Sequence, residues 1–361
     1  MIRLAINGFG RIGRAALKIA LANPAFEIAA INDLATPAVL AHLLKYDSVY
    51  GTYEKEVETV SGDKKVEIEG ELTEESHFIL TGPTDENYLS VAGQKIRLLA
   101  EKDPLNLPWK KLAVDVVLEC TGRFTEVTAA EAHLKAGAKR VVISAPLKGD
   151  GPTYLLGVNA EEYKGEKIIS NASCTTNCIS PVAAVIEREF GIIKASMTTI
   201  HAYTAEQNLV DGVPPALHKD LRRGRAAGVN IVPTTTGAAK AVAGVIPELR
   251  DHFDGLAIRV PVVCGSLSDF TILVKRKVTK EEVNKAFLQA VKSPKNKGVL
   301  ATACEPLVST DIVKNPHSAV VDLTLTKVID GDLVKIVAWY DNEWGYASRL
   351  VELAAFVTSF Q

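Results

Sequence analysis

A cysteine in a hydroxyl-rich setting and one histidine downstream are the residues of this chain best suited to covalent chemistry. Ser173-Cys174-Thr175-Thr176-Asn177-Cys178 places a thiol among small polar side chains. Val182-Ala183-Ala184-Val185-Ile186 and then Glu187-Arg188-Glu189 read as helix, with Ser173 or a nearby polar residue as its N-cap and Pro181 in or near the first turns. A cysteine opening that helix meets the positive end of its dipole, which predicts a lowered thiol pKa and a nucleophilic Cys174. His201 is the candidate base that would complete its activation. Cys178, four residues on, reads as a buried neighbour.

The first residues supply a second constellation. Ile2-Arg3-Leu4-Ala5-Ile6 is a short apolar strand, followed by Asn7-Gly8-Phe9-Gly10-Arg11-Ile12-Gly13-Arg14, which fits G-x-G-x-x-G. A helical run, Ala15 to Ala20, leads to a second strand, Phe26 to Ile31, that ends in Asn32-Asp33. Gly8, Gly10 and Gly13 permit a tight turn and let the backbone approach a pyrophosphate at the helix start, where the N–H groups of Arg11 and Ile12 would meet it. Asp33 follows Gly13 by 20 residues, the spacing of an acid that binds a ribose 2′-hydroxyl. The motif alone is weak, but strand, helix and acid together are the context that gives it meaning. An acid followed by Leu34 rather than Arg favours NAD over NADP.

These residues need elements to hold them. Up to about residue 173, strands and helices alternate. Val114 to Cys120 is a strand closed by Thr121-Gly122, Thr128 to Ala136 is helical, and Val141 to Ser144 and Lys167 to Ser170 are strands. The pattern predicts a parallel sheet covered by helices, α/β in class. Around 53–100, alternating charged segments such as Lys65-Val66-Glu67-Ile68-Glu69 predict antiparallel hairpins at its edge. Beyond Cys174, longer strands at Ala195 to His201, Gly255 to Val262, Ser268 to Lys277, Ala319 to Leu325 and Leu333 to Ala338 predict an α+β domain with a mostly antiparallel sheet, and Trp344 to Phe360 a closing helix. The chain's 361 residues suffice for two domains, and 47% hydrophobic with 23% charged residues is ordinary for a globular enzyme. A net charge of −2 gives no electrostatic case for nucleic acid or membrane. Five cysteines, an odd number, speak against a disulfide framework and for a reducing compartment. No Cys/His spacing suggests a metal site. With a strand opening at Ile2 and no room for a signal peptide, the expected location is cytoplasmic.

Four motifs in order resemble phosphorylating glyceraldehyde-3-phosphate dehydrogenases: Asn7 to Arg14, Ser170 to Cys178, Thr234-Thr235-Thr236-Gly237-Ala238-Ala239-Lys240, and Trp339-Tyr340-Asp341-Asn342-Glu343-Trp344-Gly345-Tyr346. The likeness runs from residue 1 to about 355. It implies a Rossmann-type NAD-binding domain, 1–173 plus 342–361, with a hairpin-like insertion at about 60–92, and a catalytic domain, 174–341. It implies a homotetramer using glyceraldehyde 3-phosphate, NAD and inorganic phosphate. Cys174 would form a thiohemiacetal and then a thioester, with His201 as base. Arg259 and Thr204 would hold the substrate C3 phosphate. Arg223, Ser173, Thr175, Thr236 and Gly237 would hold inorganic phosphate. Thr121, Gly122, Ser144, Asn342 and Tyr346 would join the glycine-rich turn around the cofactor, Asn342 at the nicotinamide amide.

The chain departs from that family pattern in places. Glu206 stands where many members carry a hydroxyl residue, which puts one substrate-phosphate contact in question. The loop 211–217 looks longer than usual. Erythrose-4-phosphate dehydrogenase, which hydrolyses its thioester, is the nearest alternative, and His201-Ala202-Tyr203-Thr204 with Thr236-Gly237 argues against it. A non-catalytic binding role on the same fold is the other; the presence of Cys174 and His201 argues that any such role is additional.

Overall fold

The structure is a computed structural model that describes residues 1–61, 64–65, 87–214 and 219–360, with the backbone alone at 61, 64 and 65. It divides into two compact units. The first comprises Met1–Pro152, Gly165–Ile169 and Leu350–Gln361; the second comprises Thr153–Lys164 and Ser170–Arg349. Contacts therefore assign 153–164, 170–173 and 342–349, expected with the nucleotide domain, to the second unit. Residues 342–349 are held there by their own cap. Buried Asp341 accepts hydrogen bonds from the N–H groups of Glu343 (2.9 Å) and Trp344 (2.7 Å) at the start of the helix Trp344–Ser359, and from Lys314 N (2.8 Å).

The first unit is built on a sheet whose strands run in the spatial order Ile168–Ser170, Arg140–Ile143, Val116–Glu119, Ile2–Asn7, Phe26–Asn32, Gln94–Leu99, Asn87–Val91, Val57–Ser61 and Lys64–Lys65. The pairings from Arg140–Ile143 through Gln94–Leu99 are parallel, and the last four strands are joined antiparallel. The central strands are apolar without alternation, as buried parallel strands are: Leu4, Ala5, Ile6, Val116, Val117 and Leu118 have no exposed surface. The antiparallel strands realise the expected edge hairpins. The rest of the expected insertion, 62–63 and 66–86, lies outside the described residues, as do 215–217 of the longer loop.

The turn into the helix Arg11–Leu21 is closed by contacts that leave no room for a side chain. Gly8 has φ +94°, and a Cβ on it would stand 2.7 Å from Thr121 N. A Cβ on Gly13 would stand 2.1 Å from the Gly8 carbonyl oxygen. The turn thus lies against the end of the neighbouring strand and the helix lies against the turn.

The second unit holds a sheet ordered Val232–Thr235, Phe253–Val260, Ile192–Ala202, Ser266–Val274, Leu333–Tyr340, Ala319–Asp322 and Leu300–Ala303, with Lys327–Ile329 also paired to Leu333–Tyr340. Two of its seven pairings are parallel, Ile192–Ala202 with Phe253–Val260 and Leu300–Ala303 with Ala319–Asp322, so the sheet is mixed with an antiparallel majority. The first parallel pair follows from a long connection carrying the helix Ala238–Val245. The helix Cys174–Phe190 packs against Ala238–Val245 and Lys280–Ala290, burying Cys178, Ile179, Val182 and Ile186 in the core of this unit.

Gly13→Ala is expected to cost about 1–3 kcal/mol, because the added methyl meets backbone that cannot swing aside. A lowered urea midpoint is the readout; a midpoint equal to the parent's would mean that the helix can back away from the turn.

Candidate active site

The cysteine centre is built from residues of the second unit. The chain reaches it through Ala172, a non-glycine residue at φ +52°, a conformation that costs on the order of 1–2 kcal/mol. Local bonds hold it there. Ala172 N donates to Ser170 Oγ (2.8 Å) and Tyr346 Oη donates to the Ala172 carbonyl (2.9 Å). Asn177 Nδ2 reaches back to the carbonyls of Asn171 (2.7 Å) and Ser173 (3.0 Å). Ser173 then caps the helix, its Oγ accepting from Thr176 N at 3.0 Å, and Cys174 becomes the first helical residue. Pro181 sits farther inside this helix than its first turn, with no N–H to offer the Asn177 carbonyl.

His201 lies near the end of the strand Ile192–Ala202, with Nε2 at 3.4 Å from Cys174 Sγ. Its Nδ1 is 2.6 Å from the Ala202 carbonyl oxygen, which can only accept, and 3.0 Å from Arg259 Nη1, which can only donate; the shorter contact decides, so Nδ1 carries the proton and donates to the carbonyl. Nε2 is then the acceptor, facing the thiol. Burial, reinforced by the Arg259 charge, pushes the imidazole down to about 3, so the resting ring is neutral. Burial also pushes the Cys174 thiol up, against the pull of Arg259 and of hydrogen bonds at the helix start. The sequence predicted a lowered thiol from the dipole alone; desolvation outweighs it. The resting pair is a neutral thiol beside a neutral base.

Arg259 is level with His201 on the adjacent parallel strand. Its Nη1 donates to the Ala202 carbonyl (3.1 Å) and reaches Thr204 Oγ1 (3.4 Å), while Nη2 meets Glu206 at 3.1 Å. Arg223, in the short turn Leu221–Gly224, donates from Nε to Thr234 Oγ1 (3.1 Å) and from Nη2 to the Thr235 carbonyl (3.3 Å), and its Nη1 is paired with Glu206. The other predicted anion ligands are placed less directly. Thr175 Oγ1 is turned inward to Tyr340 Oη at 3.0 Å. Thr236 Oγ1 accepts from Ala238 N, and Gly237 begins the helix Ala238–Val245. Asn342 Oδ1 accepts from Ser266 Oγ (2.8 Å), which itself accepts from Ala202 N (3.1 Å) and so ties Asn342 to the histidine strand.

The nucleotide motif forms a separate cleft in the first unit, about 310 Å³, lined by Gly8, Gly10, Asp33 and Thr121 together with Asn7, Asn32, Leu34, Glu101, Lys102, Cys120, Arg123 and Phe124. Asp33 faces it with its carboxylate fixed, Oδ2 accepting from Phe9 N (2.7 Å) and Oδ1 from Ala35 N (3.0 Å). Arg14 N bonds Gly10 O (3.0 Å), so the N–H groups of Arg11, Ile12 and Gly13 precede the intrahelical ladder. The Arg11 side chain turns away to Asp47 at 2.7 Å. Gly122 has φ +68°, and Ser144 bonds the Cys120 thiol; neither lines this cleft.

Sequence reasoning missed Tyr340 and the cleft residues Asn7, Asn32 and Arg123. Tyr340 Oη joins Thr175 to Thr199 (2.8 Å), and its ring meets His201 edge to face at 5.9 Å. Tyr340 stood in a quoted motif, but its partners lie on a helix and a strand 165 and 141 residues away in the chain. Asn7 and Asn32 flank the glycines and the acid, so their positions beside the motif were the available signal.

Comparison with known proteins covers nearly the whole chain. The model of the glyceraldehyde 3-phosphate dehydrogenase NAD binding domain matches residues 2–79 and 76–127, and that of the glyceraldehyde 3-phosphate dehydrogenase C-terminal domain matches 173–342. The chain is 48% identical over 360 residues to the glyceraldehyde-3-phosphate dehydrogenase of Geobacillus stearothermophilus, covering 99% of this chain and 98% of the relative. It is 47% identical over 359 residues to that of Streptomyces coelicolor, with the same coverage. It is 46% identical over 357 residues to the chloroplastic glyceraldehyde-3-phosphate dehydrogenase A of Chlamydomonas reinhardtii, covering 98% and 88%. With a cysteine–histidine pair in one unit, a dinucleotide cleft in the other and this likeness along both, the chain belongs to the glyceraldehyde-3-phosphate dehydrogenase family.

Proposed function

We propose that the chain converts D-glyceraldehyde 3-phosphate, NAD and inorganic phosphate to 1,3-bisphosphoglycerate and NADH through a thioester on Cys174. The observation that carries this reading is Cys174 Sγ at 3.4 Å from an unprotonated His201 Nε2, with the guanidinium groups of buried Arg223 and largely buried Arg259 in the same unit. The residues of the first-unit cleft fit NAD. Gly10, where a Cβ would meet nothing within 4 Å, leaves the helix start open to a pyrophosphate on the N–H groups of Arg11, Ile12 and Gly13. Asp33 presents an oriented carboxylate to a ribose, Thr121 forms part of the wall with Gly122 turning the chain behind it, and Ser144 supports it through Cys120.

The residues then have defined tasks. Sulfur of Cys174 bonds to the aldehyde carbon while its proton passes to His201 Nε2 and on to the new alkoxide, giving a thiohemiacetal. The Cys174 N–H, at the first helical position, has no intrahelical partner and can donate to that oxyanion. His201 next takes the hydroxyl proton as C1 loses hydride, leaving a thioester. A bound NAD would supply the hydride acceptor, and Asn342 would hold its nicotinamide amide with Tyr346 nearby. An oxygen of inorganic phosphate attacks the thioester carbon, the C–S bond breaks with its electrons returning to sulfur, and His201 returns the proton. Arg259 with Thr204 holds the C3 phosphate. Arg223, with Ser173, Thr175, Thr236 and Gly237, holds the attacking phosphate; Thr175 must first rotate away from Tyr340.

The homotetramer is inferred from the family likeness, and exposed apolar side chains fit a subunit interface. Leu209, Val210, Val213, Leu221, Val229 and Ile231 are 70–86% exposed in the single chain, an apolar stretch of the sequence that a partner subunit would cover. Five free cysteines fit a reducing cytoplasm. Among the described residues no helix is long and apolar enough to cross a membrane.

The direct test is NADH formation from the triose phosphate with and without inorganic phosphate, with erythrose 4-phosphate in parallel. Phosphate-dependent oxidation of the triose is expected; phosphate-independent oxidation favouring the tetrose would overturn the reading. Cys174→Ser should lose turnover by orders of magnitude while still binding NAD. In His201→Asn the thiol is left to burial, which holds its pKa high. With no base beside that thiol to take its proton, alkylation by iodoacetamide should slow at neutral pH and climb steeply as the thiol itself ionises. A variant profile matching the parent would remove His201 as the base. Each charge-assisted phosphate contact is worth roughly 1.5–3 kcal/mol. Arg259→Ala should therefore raise KM for the triose and Arg223→Ala the KM for phosphate, each by roughly 10- to 100-fold; identical defects in both would dissolve the division of the two pockets. Asp33→Gly should relax discrimination against NADP by roughly tenfold or more, since a like-charge contact costs a few kcal/mol. An unchanged NAD/NADP ratio would place selection elsewhere.

A further inference from the structure

Glu206 meets the two arginines assigned to phosphate with one and the same atom. Its Oε1 is paired with Arg223 Nη1 and lies 3.1 Å from Arg259 Nη2. The arginine side chains are 9% and 11% exposed, whereas that of Glu206 is 46% exposed. The cations are thus fixed parts of the wall, and the carboxylate is the part able to swing into solvent. The rest of each fork is anchored to neutral groups, Arg223 to Thr234 Oγ1 and the Thr235 carbonyl, and Arg259 to the Ala202 carbonyl. Arg259 Nε is buried with no partner among the described residues, a donor still waiting for an acceptor. One oxygen shared by two forks leaves both guanidinium groups less than saturated, since each is shaped for a bidentate anion.

We propose that Glu206 is a resident counter-anion that occupies both arginines in the ligand-free protein and is displaced by phosphate. This rests on the reading of Arg259 and Arg223 as the phosphate residues. Because the same oxygen serves both, a phosphate ester arriving at Arg259 pulls the carboxylate off Arg223 as well. The cost of removing Glu206 is met once, by whichever anion binds first, and the second anion meets a vacated arginine. Glu206 therefore weakens either phosphate alone and links the two sites favourably, a coupling that repulsion between the two anions would otherwise oppose.

The test is calorimetric titration of inorganic phosphate into Cys174→Ser, which cannot turn over, and into Cys174→Ser/Glu206→Gln, each with and without saturating glyceraldehyde 3-phosphate. Glutamine keeps the size and removes the charge. Phosphate alone is expected to bind the glutamine variant roughly tenfold more tightly, within the usual range of couplings between charged sites. The triose should help phosphate binding more in the Glu206 protein than in the variant. Unchanged or weaker phosphate binding in the variant overturns the proposal, as does an equal triose effect in both proteins. NAD affinity, read at the other unit, should be the same in both and reports that the fold is intact. Arg223→Ala and Arg259→Ala in the same titration separate the two claims. If neither weakens phosphate, the phosphate reading falls and this proposal falls with it. If both weaken it while Glu206→Gln has no effect, the counter-anion alone is refuted.

Discussion

The carbonyl oxygen of Ala202 decides which nitrogen of His201 faces the cysteine. A carbonyl can only accept, and at 2.6 Å it outweighs the longer 3.0 Å approach of Arg259 Nη1, placing the proton on Nδ1 and leaving Nε2 bare toward Sγ. The neighbouring sheet residues serve that arrangement. Ala202 ends its strand against Ser266, and Arg259 sits beside His201 across a parallel pairing, fastened to the same carbonyl. The arginine charge and the burial of the ring act in the same direction, keeping the imidazole unprotonated. A charged imidazolium would be a poor acceptor for a thiol proton. A buried neutral one next to a cation is a base held ready, and it can bear a proton for as long as negative charge develops beside it.

The half-buried thiol shows the opposite balance. Helix start, hydrogen bonds and Arg259 all favour the thiolate, and desolvation alone exceeds them. The resting centre therefore stores no ion pair between cysteine and histidine, and charge separation is deferred until an electrophile arrives. That places the demand on geometry rather than on a standing thiolate. The strained Ala172, the back-reaching Asn177 amide and the Ser173 cap together set the position of Cys174 to within a hydrogen bond of Nε2.

Much of this was legible in the sequence, for reasons that differ by residue. Gly8 and Gly13 could be read because backbone approaches at 2.7 and 2.1 Å admit no other residue, and such a constraint is visible in composition alone. Cys174 at a helix start could be read because cap and helix are adjacent in the chain. The direction of its thiol could not, since desolvation is a property of what packs around it. Glu206 was visible as a departure but not as a bridge, because its partners lie 17 and 53 residues away, one in a short turn and one on a strand, and meet it only in the folded chain. Contacts group 342–349 with the second unit for the same reason, although the C-terminal domain model ends at 342. Asp341 caps the last helix while also binding Lys314, and that second bond joins distant segments of one unit.

The nucleotide unit repeats, with different atoms, the device used at the cysteine. Trp109 Nε1 can only donate, and it lies 3.0 Å from His133 Nδ1, so that nitrogen is an acceptor and the proton sits on Nε2. Nε2 then donates to Glu119 Oε2 at 3.0 Å, where Asn7 Nδ2 also donates at 2.6 Å, while Glu119 Oε1 takes the Thr121 N–H at 2.8 Å. Asn7 Oδ1 in turn accepts from Asn32 Nδ2 at 2.7 Å. Asn7, Asn32 and Thr121 line the nucleotide cleft, whereas Trp109 and His133 are buried beneath it without exposed surface. In both units a partner with a single hydrogen-bonding sense fixes a buried histidine, and the histidine passes that sense on to the residues facing the ligand. The polarity of each site is thus set by groups that need never touch substrate or cofactor, and it is fixed as the protein folds.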